Sequence, residues 1–433
     1  MPLMIGSAIP SARLPTVRRA KASRVLAGSA LLAAWTLAAG CARVATSDAS
    51  LETLFQQHRW FELGDAVTGR SPAFYRGAVA CAFSRTAACE DAFASVWTSP
   101  RAAEAHELLA YQFLRLGRYR DALAHLDAQL ALLPGRPDLV KGRTLMAALA
   151  TSPPMDVQEV TPSTLRPVVD RPGLWLPLAI NGHEVAYFLD TGMNIPLLSA
   201  AEARHLGLRV FSVGAGAARL NGNAGGDVAV RMAVADTLTI GSVRLRSVTF
   251  LIVDDAQPPF DELPIGRRGG IGLPILMALG GIRWGRDHSI RVGEGSPRAR
   301  LARDTANLCF DHGLPLVRVR VGDTWGRLYL DTGAEETELY PLFAREIPNL
   351  GEGRSDSLTV GGLDGDVVVP VTTFPDLPMM VGGLLTHLRP ARVQRSRLLP
   401  PGQALQHGNL GTDLLDQATE VFLDFRTMQL RLR

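Results

Sequence analysis

The tripeptide Asp-Thr-Gly occurs twice, at Asp190-Thr191-Gly192 and Asp331-Thr332-Gly333, and each copy ends an apolar run, Val185–Leu189 and Leu328–Leu330. A strand that delivers an aspartate into a glycine-turned loop, done twice, lets one chain bring two carboxylates face to face. A single copy carries little information, because Asp and Gly favour turns for reasons unrelated to chemistry. Here the surroundings repeat too. Extended segments Leu174–Ile180 and Leu314–Val321 precede the two copies, followed by turns at Asn181-Gly182-His183 and Gly322-Asp323-Thr324. Each reads as a hairpin into the strand that carries the aspartate.

The match continues downstream. Gly272, in Gly270-Ile271-Gly272-Leu273, lies 82 residues after Asp190, and Gly411, in Gly408-Asn409-Leu410-Gly411-Thr412-Asp413-Leu414-Leu415, lies 80 after Asp331. Both then run into a short helix and a last strand, Ser289–Val292 and Gln429–Arg433. Residues 174–293 and 314–433 therefore read as two copies of one β-rich unit of roughly 120 residues. Two carboxylates in contact cannot both be ionised, so they share a proton and become an acid and a base at once.

With these motifs, residues 174–433 resemble the pepsin/retropepsin aspartic peptidases, in particular the bacterial aspartyl protease branch with its Gly-Asn-Leu-Gly-Thr-Asp-Leu-Leu ending. The resemblance implies two similar β-barrel lobes, each giving one aspartate at the foot of a cleft for an extended peptide. It implies catalytic roles for Asp190 and Asp331. Ile271-Gly272 and Leu410-Gly411 would support the catalytic loops, and the Thr191 and Thr332 hydroxyls would hydrogen-bond across to the opposite loop. Gly192 and Gly333 would let the backbone turn sharply and bring amide N–H groups to the carboxylates, which favours the ionised form.

One position departs from the family. Ser, Thr or Ala usually follows Asp-Thr-Gly, as Ala334 does in the second copy, but Met193 stands in the first. Methionine cannot donate to a carboxylate oxygen, so the pair is expected to be asymmetric or the activity reduced or lost. Lid candidates are the glycine-rich tips Asn221–Gly226, with Gly222 and Gly225, and Gly361–Asp366, with Gly362 and Gly365. Such tips suit mobile flaps, and ordinary hairpin turns have the same composition.

Residues 1–41 read as an export signal: five cations (Arg13, Arg18, Arg19, Lys21, Arg24) precede the apolar run Val25–Ala39, which is short for a membrane span. Leu37-Ala38-Ala39-Gly40-Cys41 resembles a bacterial lipoprotein cleavage box, with Cys41 as the lipidated residue; ordinary secretion with a nearby cut is the rival and an uncleaved anchor the third reading. This places the mature chain in a bacterial envelope, facing the periplasm, anchored by lipid at the outer membrane in preference to the inner. Removing those five cations takes the formal charge from +3 to −2, so the basic balance says nothing of nucleic acid, and no basic patch with interleaved aromatics occurs. Cys81 and Cys89 are candidates for a disulfide in an oxidising compartment, with Cys309 left over. No Cys-x-x-Cys pair occurs and the nine histidines are scattered, so neither a metal nor a cofactor is expected.

Residues 42–150 change to helical spacing. Ala103–Leu116 and Arg120–Leu133, with Leu116-Gly117-Arg118-Tyr119, Ala122 and the closing Pro134, resemble one tetratricopeptide helix pair; Ser50–Phe61 and Ser71–Trp97 look like degenerate partners. A platform for a protein partner and a plain helical spacer are both open. Thr151–Pro172, with five prolines, reads as a linker between that region and two lobes at 173–296 and 297–433. The expected fold class is thus α+β and multidomain: helical hairpins, then a two-lobed, mainly β unit complete in one chain. The expected function is an aspartic endopeptidase acting on peptide or protein substrates. The alternative is an inactive peptide-binding scaffold with the same cleft.

Overall fold

The computed structural model describes residues 47–166, 168, 173–213, 219–221, 227–287, 289–294, 306–361, 367–396, 399 and 402–433. The expected export signal and Cys41 lie outside these residues, as do Gly222, Gly225, Gly362 and Gly365. No helix among the described residues is long and apolar enough to cross a membrane.

Among the described residues seven helices come first: α1 (Asp48–Gln56), α2 (Trp60–Ala66), α3 (Ala73–Ala82), α4 (Thr86–Phe93), α5 (Ala102–Arg115), α6 (Tyr119–Leu132) and α7 (Pro137–Leu149). Their breaks are written in the backbone. His58 and Ser84 take positive φ, 50° and 55°, between α1 and α2 and between α3 and α4, and Gly117 takes 68° between α5 and α6. Of the two segments read as degenerate partners of the helix pair, Ser50–Phe61 covers most of α1 and the start of α2, and Ser71–Trp97 holds α3 and α4. Residue 77 in α3 must be glycine, because a Cβ there would lie 2.4 Å from Phe93 of α4. A Cys81–Cys89 disulfide ties the same two helices, and Cys309 is free and buried.

The proline-rich segment is not a free linker. Asp156–Glu159 pairs antiparallel with the strand Val243–Val253, and Ser163–Leu165 pairs antiparallel with Ile290–Val292. Asp156–Glu159 is exposed throughout and Ser163–Leu165 is only three residues long, so neither carries enough of the period-two pattern to mark a strand in the sequence. The described prolines, Pro153, Pro154 and Pro162, stand outside the paired residues, where no ladder donor is lost.

Lobe 1 is built on an eight-stranded sheet and lobe 2 on a ten-stranded one. Trp175–Ile180 and His183–Leu189 form a hairpin across Asn181-Gly182, both at positive φ, and Leu314–Val321 and Thr324–Leu330 form its counterpart. A five-stranded sheet joins the lobes, with Gly281–Gly285 antiparallel to Glu420–Asp424. Four short helices complete the unit: α8 (Ala200–His205), α9 (Leu273–Leu279), α10 (Pro341–Glu346) and α11 (Thr412–Leu415). One apolar core runs through both lobes, from Leu176 and Ile271 to Leu328 and Leu410.

The helical region packs on this unit. Trp60 Nε1 donates to Asp311 Oδ1 at 2.9 Å, and Arg318 reaches Asp65 at 2.8 Å. Buried Arg115 donates to the carbonyl of His312 and lies over the Phe310 ring. The α5–α6 turn meets lobe 1, with Pro274 Cβ 3.5 Å from where a Gly117 Cβ would stand. A buried Arg and a buried Trp–Asp bond are costly to expose, so the helical region is a docked part of the molecule and not a separate spacer.

Candidate active site

Each aspartate sits one residue past its strand, and a parallel neighbour fixes where it points. Gly269–Ile271 runs parallel to His183–Leu189, pairing Gly270 with Phe188 and Ile271 with Leu189. Gly408–Leu410 runs parallel to Thr324–Leu330, pairing Asn409 with Tyr329 and Leu410 with Leu330. The ladder continues into the loops. Asp190 N donates to Ile271 O and Asp331 N to Leu410 O, both at 3.0 Å; Leu273 N donates to Met193 O and Thr412 N to Ala334 O, both at 2.8 Å. Gly272 admits no side chain because a Cβ would lie 2.5 Å from Met193 O, and one on Gly411 would lie 2.7 Å from Glu336 C.

The two threonines lace the loops together. Thr191 N donates to Thr332 Oγ1 and Thr332 N to Thr191 Oγ1, both at 3.1 Å. Each hydroxyl then donates across the pseudo-two-fold, Thr191 to Leu330 O at 2.7 Å and Thr332 to Leu189 O at 2.8 Å. Four bonds thus fix two backbones whose Asp-Thr-Gly copies are 141 residues apart.

The carboxylates meet between these loops. Gly192 N donates to Asp190 Oδ1 at 2.7 Å and Gly333 N to Asp331 Oδ1 at 3.0 Å. A Cβ on Gly333 would lie 2.7 Å from Asp190 Cγ, so only glycine lets the second loop approach the first carboxyl. Asp190 is 0% and Asp331 2% exposed, which puts both out of water's dielectric. Burial, and then the neighbouring Asp331, push the Asp190 carboxyl well above the usual carboxylate range, against the Gly192 and Met193 amides. A buried carboxyl pair that shares a proton can take a proton at one member while giving one from the other.

The loops are not identical. Met193 is fully buried, and its Cε would stand 2.7 Å from a Cβ on Gly270, so the bulk of the departing residue is housed over a glycine in the facing strand. Lobe 2 has the reverse arrangement, Ala334 facing Asn409, whose Nδ2 donates to Asp331 Oδ2 at 2.9 Å. Thr337 Oγ1 bonds Asp413 at 2.6 Å and accepts from Gly411 N at 3.0 Å, a brace for the second loop only. The sequence reading placed Asn409 and Asp413 in a family-like ending without giving either a task. Comparing the halves position by position would have drawn attention to both, since Gly270 and Pro274 stand at the equivalent places in lobe 1.

A second buried carboxylate, Asp311, lies where the helical region meets lobe 2. Tyr329 and Gln406 donate to its Oδ2 at 2.8 and 2.9 Å; Trp60 donates to Oδ1, and His58 and His312 Nδ1 each lie 2.9 Å from it. Burial alone would raise this carboxyl, but the charge of His58 and the contact with His312 outweigh it and hold it well below its usual range. His58, Asp311 and His312 are also the one His/Cys/Asp/Glu group among the described residues spaced to hold a metal ion. Five polar neighbours already engage the carboxylate, so the cluster is accounted for as an interface lock. The adjoining Gly313 touches the first loop: a Cβ there would lie 2.7 Å from Asn194 Oδ1.

The lid candidates Gly222, Gly225, Gly362 and Gly365 lie outside the described residues; only the strands that flank them are described. Arg219–Asn221 pairs antiparallel with Asp227–Ala229, and Arg354–Val360 with Val367–Phe374. Two surface cavities, of about 790 Å³ by Pro341, Arg345 and Phe374 and about 320 Å³ by Leu174, Trp284 and Thr412, include neither aspartate in their walls.

Residues 176–274 match the family model for aspartyl protease, a stretch that contains the first Asp-Thr-Gly and the Gly270-Ile271-Gly272 element. No curated protein matches the chain. The matched stretch is similar to a protease domain, and lobe 2 is tied to it by the internal repeat.

Proposed function

We propose that this protein is an aspartic endopeptidase in which Asp190 and Asp331 activate one water between them. The ionised member takes the water's proton, the protonated member donates to the scissile carbonyl, and a neutral tetrahedral diol results. No metal and no covalent intermediate is needed for these steps. The observation that carries the reading is the buried pair itself, each inner oxygen held by its own loop amide at 2.7 and 3.0 Å. The substrate is an extended peptide or protein segment. Residues 1–41 export the chain, and lipid on Cys41 anchors it in a bacterial envelope. The helices at 42–150, similar to tetratricopeptide pairs, offer a protein partner their outer face while their inner face holds lobe 2.

The test is cleavage of a peptide library by the whole chain from acid to neutral pH, beside Asp190→Asn and Asp331→Asn. Cleavage that both substitutions abolish supports the pair. A second reading, peptide binding without turnover, is favoured by the near-complete burial of both carboxylates. It predicts that peptides bind, that none is cut, and that neither substitution changes binding.

A further inference from the structure

Asp190 and Asp331 differ at the outer carboxyl oxygen. Both inner oxygens accept a loop amide, at Gly192 and Gly333. The outer oxygen of Asp331 also accepts Asn409 Nδ2 at 2.9 Å, from a side chain only 3% exposed. The corresponding oxygen of Asp190, Oδ2, is buried with no side-chain amide donor, and the carboxyl's other polar neighbours are Asp331 and the Met193 amide.

The cause lies in two facing positions whose large and small residues have changed places between the lobes. In lobe 2, Ala334 after the tripeptide leaves room for Asn409 on the neighbouring strand. In lobe 1, Met193 after the tripeptide fills that room, and a Cβ at Gly270 would lie 2.7 Å from both Met193 Cε and Phe188 Cζ. No donor can therefore stand at position 270. A neutral amide N–H donated to a carboxylate favours the charged form, so with the loop amides common to both, the added donor at the outer oxygen of Asp331 favours charge there, and its lack at Asp190 favours the proton.

Resting on the peptidase reading for its role, we propose that Asn409 is a positioning residue that keeps the negative charge of the pair on Asp331 and the proton on Asp190. Asp331 is then the base that takes the proton from water. Asp190 is the acid that donates to the scissile carbonyl, and the Met193–Gly270 exchange is what leaves it protonated. Met193 becomes the feature that makes the two carboxyls unequal, and not the mark of a retired site.

The experiment is a carboxyl-carbon NMR titration of the whole chain labelled in aspartate, with Asp190→Asn and Asp331→Asn providing the assignments. In the natural protein Asp331 is expected to ionise first as pH rises and Asp190 second. Asn409→Leu, of similar size without the donor, should raise the first step by about one pH unit or more, the scale of a hydrogen bond to a charged group. The acid limb of kcat/KM should move with it. Asn409→Asp, which can donate only when protonated, should not restore the natural limb.

Asp190 ionising before Asp331 in the natural protein overturns the proposal, and that result needs no variant to fold. Steps that stay in place in a folded Asn409→Leu chain overturn it equally. The titration does not depend on turnover, so the two ideas fail separately. The expected order without peptide cleavage leaves the assignment standing and sinks the peptidase reading; cleavage with the reverse order does the opposite.

Discussion

Replacing Thr332 by valine keeps the side chain's shape and removes its hydroxyl. Two bonds go with it: the one accepted from Thr191 N at 3.1 Å and the one donated to Leu189 O at 2.8 Å. Both orphaned groups are backbone atoms buried between the lobes, with no route to water. Each unsatisfied buried group costs about 1–3 kcal/mol, so the substitution should cost about 2–6 kcal/mol. That is a large share of a typical folding free energy of about 5–15 kcal/mol. For a unit of this size the thermal midpoint should fall by about 5–15 °C. The pseudo-two-fold adds a sharper expectation. Thr191→Val removes the mirror pair of bonds, to Thr332 N and Leu330 O, and should cost nearly the same. Peptide cleavage should drop by about a hundredfold or more in each, since misplacing a reacting group by about 1 Å costs on that order. Calorimetry on the whole chain and its two variants is the assay. A midpoint within about 2 °C of the natural chain, or a loss seen with one threonine and not the other, would refute the interlocked geometry.

Two other perturbations test the packing around the site. Gly270→Ala drives a methyl against Met193 and Phe188 at 2.7 Å and should destabilise by about 1–3 kcal/mol; adding Met193→Ala should recover part of that loss, and a double variant worse than the sum contradicts the contact. The interface lock should respond to pH from both sides. The depressed Asp311 carboxyl contributes stability that is complete above its unfolded pKa of about 3.9 and is lost as pH falls through the folded value. Burial would lower His312, but the Asp311 carboxylate outweighs it and raises it, so its contribution is complete below about 6.5 and fades as pH rises through the folded value. Hydrogen exchange in α2 should therefore be slowest between about pH 4 and 6.5, and a flat profile, or one unchanged in Asp311→Asn, argues against the lock.

Much of the site could be read from the chain because its parts are local. Strand, tripeptide and Gly-ended element each sit within ten residues, and the internal repeat supplied the comparison that a single copy lacks. The α5–α6 pair was legible from its spacing and from Gly117, within a residue at each end. What could not be read depends on contacts between distant residues. Met193 meets Gly270 only because parallel pairing brings their strands together, and the task of Asn409 exists only in that register. Trp60 and Asp311, 251 residues apart, make a spacer into a docked domain. Asp156–Glu159 and Ser163–Leu165 became strands through a neighbour's free edge, which their own proline-rich sequence does not announce.

The central claim is that Asp190 and Asp331 act as one acid–base pair on a peptide bond. The most direct measurement is kcat/KM against pH for a cleaved peptide, in the natural chain and in Asp331→Asn. The account predicts a bell-shaped profile whose two limbs report the pair, and loss of cleavage at every pH in the variant. Cleavage by Asp331→Asn with the natural profile would contradict it, because a single remaining carboxylate cannot be both acid and base.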